Sequence, residues 1–130
     1  MSKLRRRFAL TPEYKTLREI LTDHELATLG DAYVNLLYSL YLSAKTKKPT
    51  GEKADSRTLA DALKRSGLRE QVASRADRHK QADAAEALLV YAWLQETITI
   101  TECIEIMLKH ESPVEAFGAL LSHANKRLDL

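Results

Sequence analysis

Three acidic residues stand out because each lies beside an apolar segment of the chain. Asp31 lies well inside one such segment, and Asp83 and Glu86 come just before another. In a helix, residues three apart share one face, so Asp83 and Glu86 would point the same way. An unpaired carboxylate beside a hydrophobic core is costly. These acids therefore need cations, which are either arginine or lysine side chains or a divalent metal ion.

The chemistry of the donor atoms restricts which metal would fit. Carboxylate oxygens with water suit Mg²⁺ or Mn²⁺ better than Zn²⁺, and a single cysteine excludes a cysteine-rich zinc site. Acids near a helix start also serve as caps or as partners of the helix dipole, which is an alternative explanation for Asp83. Asp31 is too far into its helix to be a cap.

The segment around Asp31 has features that bear on such a site. At 3.6 residues per turn, one polar stripe runs along it, comprising His24, Thr28, Asp31, Asn35 and Ser39. Gly30 in mid-helix costs roughly 1 kcal/mol relative to Ala, which predicts that another part of the protein approaches its backbone closely. His24 and His79 each lie near an acid by helical spacing. With Asn35, they are candidates for supporting groups around the acids.

The elements that must position these residues are predicted to be helices. Capping residues and apolar periodicity indicate about seven helices and an all-α fold. The predicted helices begin at Pro12 after Thr11, at residue 24 after Asp23, after Asp55 or Ser56, at 68, near 78–80, at 101 and at 113 after Ser112. Their predicted ends are near 21, 44, 67, 77, 94, 109 and 127. Residues 97–100 are interpreted as a connector.

Length and composition describe an ordinary globular protein. The chain has 130 residues, of which 45% are hydrophobic and 29% charged, and we expect one domain over 1–130 with a basic N-terminal arm at 1–10. Four Gly and three Pro argue against an all-β fold. The longest apolar run, Ala87–Leu94, is far shorter than the roughly 20 residues that span a membrane. One cysteine and no signal-peptide pattern predict a cytoplasmic location.

The charge of the chain is unevenly distributed. The net charge is +2, but the first 80 residues are basic and the remainder is acidic, which favours a polyanionic partner. The alternative is that lysine and arginine only keep the helices soluble, and the lysine-rich loop at 45–53 could be a solvated turn. The candidate contacts for a nucleic acid are Lys45, Lys47, Lys48, Lys53, Arg57 and Lys80.

Two short motifs carry a resemblance to a known family. The segment Leu26–Ala32 contains Gly-Asp-Ala after apolar residues and resembles the signature helix of ribonuclease III. The segment Ala82–Leu88 is similar to the second motif of that family, in which Asp and Glu stand three apart. Their order and separation, with Thr58-Leu59-Ala60 and Gly67-Leu68 between them, also fit the family.

The resemblance implies an all-α, homodimeric endonuclease that cuts double-stranded or structured RNA with Mg²⁺ or Mn²⁺. By position, Asp31 and Glu86 match the catalytic carboxylates that hold the metal, and Asp83 matches a supporting one. The larger family enzymes have Glu at the positions of Ala27 and His24, whereas the compact Mini-III branch also lacks the first of these acids.

Two other functions remain open on the sequence alone. The missing acid at Ala27 favours a catalytically inactive RNA-binding or ribosome-associated scaffold with the same fold. The excess of apolar helix surface would also suit a helical interaction protein without nucleic acid. The same excess predicts a two-fold homodimer with its interface near the second helix.

Overall fold

The computed structural model describes residues 7–8, 10, 12–72 and 77–130. Over these ranges the protein is all helical, as predicted. The six α-helices are α1 (Leu17–Leu21), α2 (His24–Thr46), α3 (Ser56–Arg65), α4 (Arg78–Leu94), α5 (Ile100–Met107) and α6 (Pro113–Leu128), with a 3-10 turn at Leu68–Gln71. In the described ranges, no helix is both long enough and apolar enough to cross a membrane.

Local capping explains where most of these helices begin. The side chain of Asp23 accepts a hydrogen bond from the backbone N–H of Leu26 at the start of α2. Asp55 does the same for Thr58 in α3, and Ser112 for Glu115 in α6. Each cap satisfies a backbone donor that the first helical turn leaves without a partner. The predicted starts of α2, α3 and α6 are therefore confirmed.

Helix α4 is the central element of the fold. From Gln81 to Leu94 its residues are buried on all sides except for the half-buried Asp83 and Trp93, as expected for a helix that is apolar around its circumference. It packs against α1, α2, α3 and α6. Its first turns, which carry the two predicted acids, are therefore held by several neighbours at once.

Two predicted helices differ from the structure. A helix from Pro12 is wrong, because residues 12–14 are irregular and α1 begins at Leu17 behind a Thr16–Glu19 capping box. The backbone N–H of Tyr14 donates to the hydroxyl of Tyr91 instead, which ties this segment to the core. Thr11 and most of the predicted basic arm lie outside the described residues.

The predicted helix over 68–77 is wrong at its start. Leu68–Gln71 form a single 3-10 turn, and Val72 after it adopts an extended backbone. Val72 is buried, which anchors the end of this turn to the core. Residues 73–76 of the predicted helix lie outside the described residues. The predicted connector at 97–100 is confirmed up to Thr99, which caps α5.

Helix α2 approaches the backbone of α4 closely at Gly30. A Cβ atom at Gly30 would lie 2.2 Å from the backbone oxygen of Glu86 and 2.5 Å from its carbonyl carbon. No side chain could be accommodated there without moving one helix. The prediction that another part of the protein approaches the backbone at Gly30 is thus confirmed, and the contact places Asp31 beside Glu86.

We expect Gly30→Ala to lower the melting temperature strongly, because the added methyl group meets backbone that cannot move aside. Overpacking of this kind costs about 3 kcal/mol, which corresponds to roughly 10 °C for a chain of this size. The control is Gly118→Ala in α6, where the new Cβ would be 3.4 Å from the nearest atom, a side-chain carbon of Arg65. Thermal melts of the two variants should diverge, and equal melting temperatures would contradict this account.

Candidate active site: an acidic cleft between three helices

A cleft of about 560 Å³ lies where α2, the start of α3 and the start of α4 meet. Six predicted site residues line it: His24, Asp31, Lys53, His79, Asp83 and Glu86. Asn35 is attached to its edge by a hydrogen bond from the amide nitrogen to the Asp31 carboxylate. The fold therefore brings together side chains that are more than fifty residues apart in the sequence.

The centre of the cleft is the contact between Asp31 and Glu86. Only 6% of Glu86 is exposed, and this burial raises the pKa of its carboxyl to about 8. A hydrogen bond with Asp31 and the negative charges of Asp31 and Asp83 add to the rise, while the Lys53 ammonium opposes it. Below about pH 8 the Glu86 carboxyl is therefore neutral where it lies against Asp31, between α2 and α4.

Asp83 lies one helical turn before Glu86 and is half-buried. Its Oδ2 atom lies 3.8 Å from Nδ1 of His24, whose side chain is 85% exposed. His79 lines the same cleft from the first turn of α4. Both histidines therefore line the cleft with the acids, although the acid that His24 approaches lies on α4 and not on its own helix.

A fourth acid at the cleft was missed by the sequence analysis as a site residue. Asp55 was identified only as the cap of α3, and it does cap α3 through Thr58. It also lines the cleft, and the hydrogen bonds it accepts hold the pKa of its carboxyl below the usual range. The position of Asp55 just after the lysine-rich loop is the one relevant feature of the sequence. It does not show the path of that loop, and so it could not place Asp55 at the cleft.

The loop folds back along α2 and ends at the cleft. Ser43, Ser39 and Asn35 of α2 bind the backbone of Thr50, Glu52 and Ala54 respectively. We call residues 50–54 the strap. Because the strap runs towards the cleft, it places Lys53 among the lining residues.

The other predicted RNA-binding residues lie outside the cleft lining. The ammonium of Lys45 donates to the backbone oxygen of Glu111 at 2.9 Å and to the Tyr41 hydroxyl at 3.2 Å, so it already has partners within the protein. Lys47 and Lys48 are exposed at the far end of the loop. Arg57 is exposed in the first turn of α3, and Lys80 borders a neighbouring hollow of about 440 Å³ with His24 and Asp83.

The donor set fits a hard divalent cation in its chemistry. Asp31, Asp55, Asp83 and Glu86 all line one cleft, and carboxyl oxygens are ligands that Mg²⁺ and Mn²⁺ prefer. The raised pKa of Glu86 shows that a nearby positive charge would favour its ionised form. Within the described ranges, no three His, Cys, Asp or Glu side chains are already gathered as a metal site.

Comparison with known families agrees with the two sequence motifs. A family model described as Ribonuclease III matches residues 24–125, which include both motifs and the whole cleft. The chain belongs to the ribonuclease III family. Domains of this family are all-α, and its enzymes generally depend on divalent metal ions. A search of curated proteins finds no match to the chain.

The departure from the ribonuclease III pattern at Ala27 falls at the cleft itself. Ala27 lines the cleft and is 3% exposed, so the missing carboxylate would have faced the same space. Asp55, the cap of α3, lines the same cleft. The cleft therefore has four acidic residues in its lining without one at position 27.

The protonation of Glu86 predicts how stability changes with pH. Glu86 ionises near 4.5 in the unfolded chain and at about 8 in the folded protein. Its favourable contribution is complete below pH 4.5 and is lost as pH rises through about 8. In metal-free melts, we expect the wild type to lose several degrees relative to Glu86→Gln between pH 5 and pH 8. A difference between the two melting temperatures that does not change with pH would contradict this.

Proposed function

We propose that the chain is a single-domain, metal-dependent endoribonuclease that hydrolyses phosphodiester bonds in double-stranded or structured RNA. The observation that carries the proposal is the contact between the Asp31 and Glu86 carboxyls across two helices, within a domain of the ribonuclease III family. A structural ion pair joins an acid and a base, whereas here two acids are in contact. The contact costs stability, which is typical of a site kept for binding a cation.

The protein supplies ligands and positive charge around the scissile phosphate. Asp31 and Glu86 would hold Mg²⁺ or Mn²⁺, with Asp83 in support. When bound, the cation provides charge for the phosphate oxygens and activates water. Lys53 lines the same cleft and would bind a phosphate next to the bond that is cleaved. Lys47, Lys48, Arg57 and Lys80 would bind the RNA backbone around it, since RNA duplexes are recognised mainly through phosphates and 2′-hydroxyls.

The second candidate is an RNA-binding scaffold that keeps the fold without cleavage. The alanine at position 27 favours it, because one acid of the larger enzymes is absent. In a scaffold, the lysines and arginines around the cleft would still bind RNA, but Asp31 and Glu86 would have a structural role only. The two candidates therefore differ in what neutral substitutions at these acids do.

Asp31→Asn and Glu86→Gln keep the shape of the side chains but remove the charge that holds the cation. We expect each to lower cleavage of a labelled RNA duplex by about 100-fold or more, while RNA affinity is largely retained and the metal-free melting temperature is equal or higher. The matched controls are Asp61→Asn and Glu105→Gln, at exposed acids away from the cleft. A wild type that binds RNA but never cuts it in Mg²⁺ or Mn²⁺ would establish the scaffold instead.

The active form is proposed to be a homodimer formed through α2. Leu29, Leu36 and Leu40 are 42%, 46% and 36% exposed, whereas Leu26 and Tyr33 of the same helix are buried. Spacings of seven and four residues put the three leucines within about 40° of one another around the helix. A contiguous exposed apolar stripe on one helix suits a self-complementary contact with a second copy.

Leu36→Lys should dissociate the dimer, because the interface would bury a charge on each side. By light scattering at micromolar concentration, we expect the wild type at twice the chain mass of 14.7 kDa and the variant at that mass. Leu130→Lys is the control, since Leu130 is 53% exposed at the C-terminus and away from α2. A wild type with the mass of one chain would contradict the homodimer.

A further inference from the structure

The strap is attached to α2 in a regular pattern. Ser43 Oγ accepts from the N–H of Thr50 at 2.9 Å and donates to its carbonyl oxygen at 3.1 Å. Ser39 makes the same two bonds to Glu52, both at 2.9 Å. Four residues of helix advance about 6 Å, and two residues of extended chain about 6.6 Å. Helix side chains four apart therefore meet every second residue of the strap without distortion.

The third attachment point, at Asn35, differs from the first two. Asn35 Oδ1 accepts from the N–H of Ala54 at 2.9 Å. Since a backbone N–H requires an acceptor, this bond fixes which end of the amide is oxygen. The amide nitrogen then points to Asp31 and donates to its Oδ1 at 3.5 Å. At the other two attachment points a serine holds the strap. Asn35 has, in addition, an N–H donor that is not needed to hold the strap and that bonds Asp31.

We infer that Asn35 is a positioning residue that orients the Asp31 carboxylate and sets it relative to the strap. The inference rests on the proposed function, in which Asp31 is a metal ligand. Asn35 bonds only Oδ1 of Asp31, which leaves Oδ2 without a bond to this amide. Through its bond to Ala54, the same amide ties Asp31 to the strap that carries Lys53.

Orientation of a ligand by its hydrogen-bond partner has a measurable size. Loss of such a partner typically weakens metal affinity by 10- to 100-fold, and the 3.5 Å bond places Asn35 at the weak end of that range. We therefore expect about tenfold weaker Mn²⁺ binding without the Asn35 donor. A role in the fold alone would change the melting temperature and leave the affinity for Mn²⁺ as it was.

The test compares Asn35→Ser with the double variant Ser39→Ala/Ser43→Ala, each as the full chain. Asn35→Ser removes the donor to Asp31, whereas the double variant loosens the strap and keeps Asn35. Titration calorimetry measures Mn²⁺ affinity, and amide hydrogen exchange at Glu52 and Ala54 reports whether the strap is held. We expect Asn35→Ser to bind Mn²⁺ about tenfold more weakly and the double variant to bind it within about twofold of the wild type.

Three results would overturn the inference. Wild-type Mn²⁺ affinity in Asn35→Ser would show that the donor to Asp31 is dispensable. Equal losses in Asn35→Ser and the double variant would assign the effect to the strap rather than to the bond with Asp31. A wild type that binds no Mn²⁺ would overturn the proposed function as well, which distinguishes that failure from the first two.

Discussion

The structure depends on the backbone contact between α2 and α4 at Gly30. With no side chain at this position, the two helices cross so closely that an added Cβ would be 2.2 Å from the Glu86 carbonyl oxygen. Because Asp31 follows Gly30 directly, the same contact places its carboxyl against that of Glu86. A separation larger by one methyl group would move the two acids apart. The small alanines at 84, 85 and 87 of α4 are consistent with this close packing of its neighbours.

The contact between Asp31 and Glu86 is electrostatically unfavourable when Glu86 is ionised. Apart from Gln81 and Glu86, the buried residues of α4 are apolar. Burial beside Asp31 raises the pKa of Glu86 to about 8, which means that a negative charge on Glu86 is unfavourable there. Lys53, brought in by the strap, offsets part of this repulsion. A further positive charge in the cleft would therefore stabilise the ionised form of Glu86.

The parts of the fold that follow from short-range rules could be predicted from the sequence. The caps at Asp23, Asp55 and Ser112 and the apolar α4 depend on residues near one another in the chain. Gly30 was recognised from a local signal as well, because a glycine in mid-helix is unfavourable, although its partner Glu86 is far away in the sequence. The strap could not be predicted, because its bonds join residues up to 19 apart and depend on the path of the loop. For the same reason Asp55 was identified as a cap and not as a cleft residue. The Pro12 helix failed because Tyr14 bonds to Tyr91, 77 residues away.

The central claim is that the contact between Asp31 and Glu86 exists to hold a divalent cation. The most direct measurement is anomalous diffraction from crystals grown without divalent metal and then soaked in Mn²⁺. The account predicts the strongest anomalous peak in the cleft, bonded to the carboxyls of both Asp31 and Glu86. A Mn²⁺ ion bound elsewhere, or no peak between these two carboxyls, would contradict it.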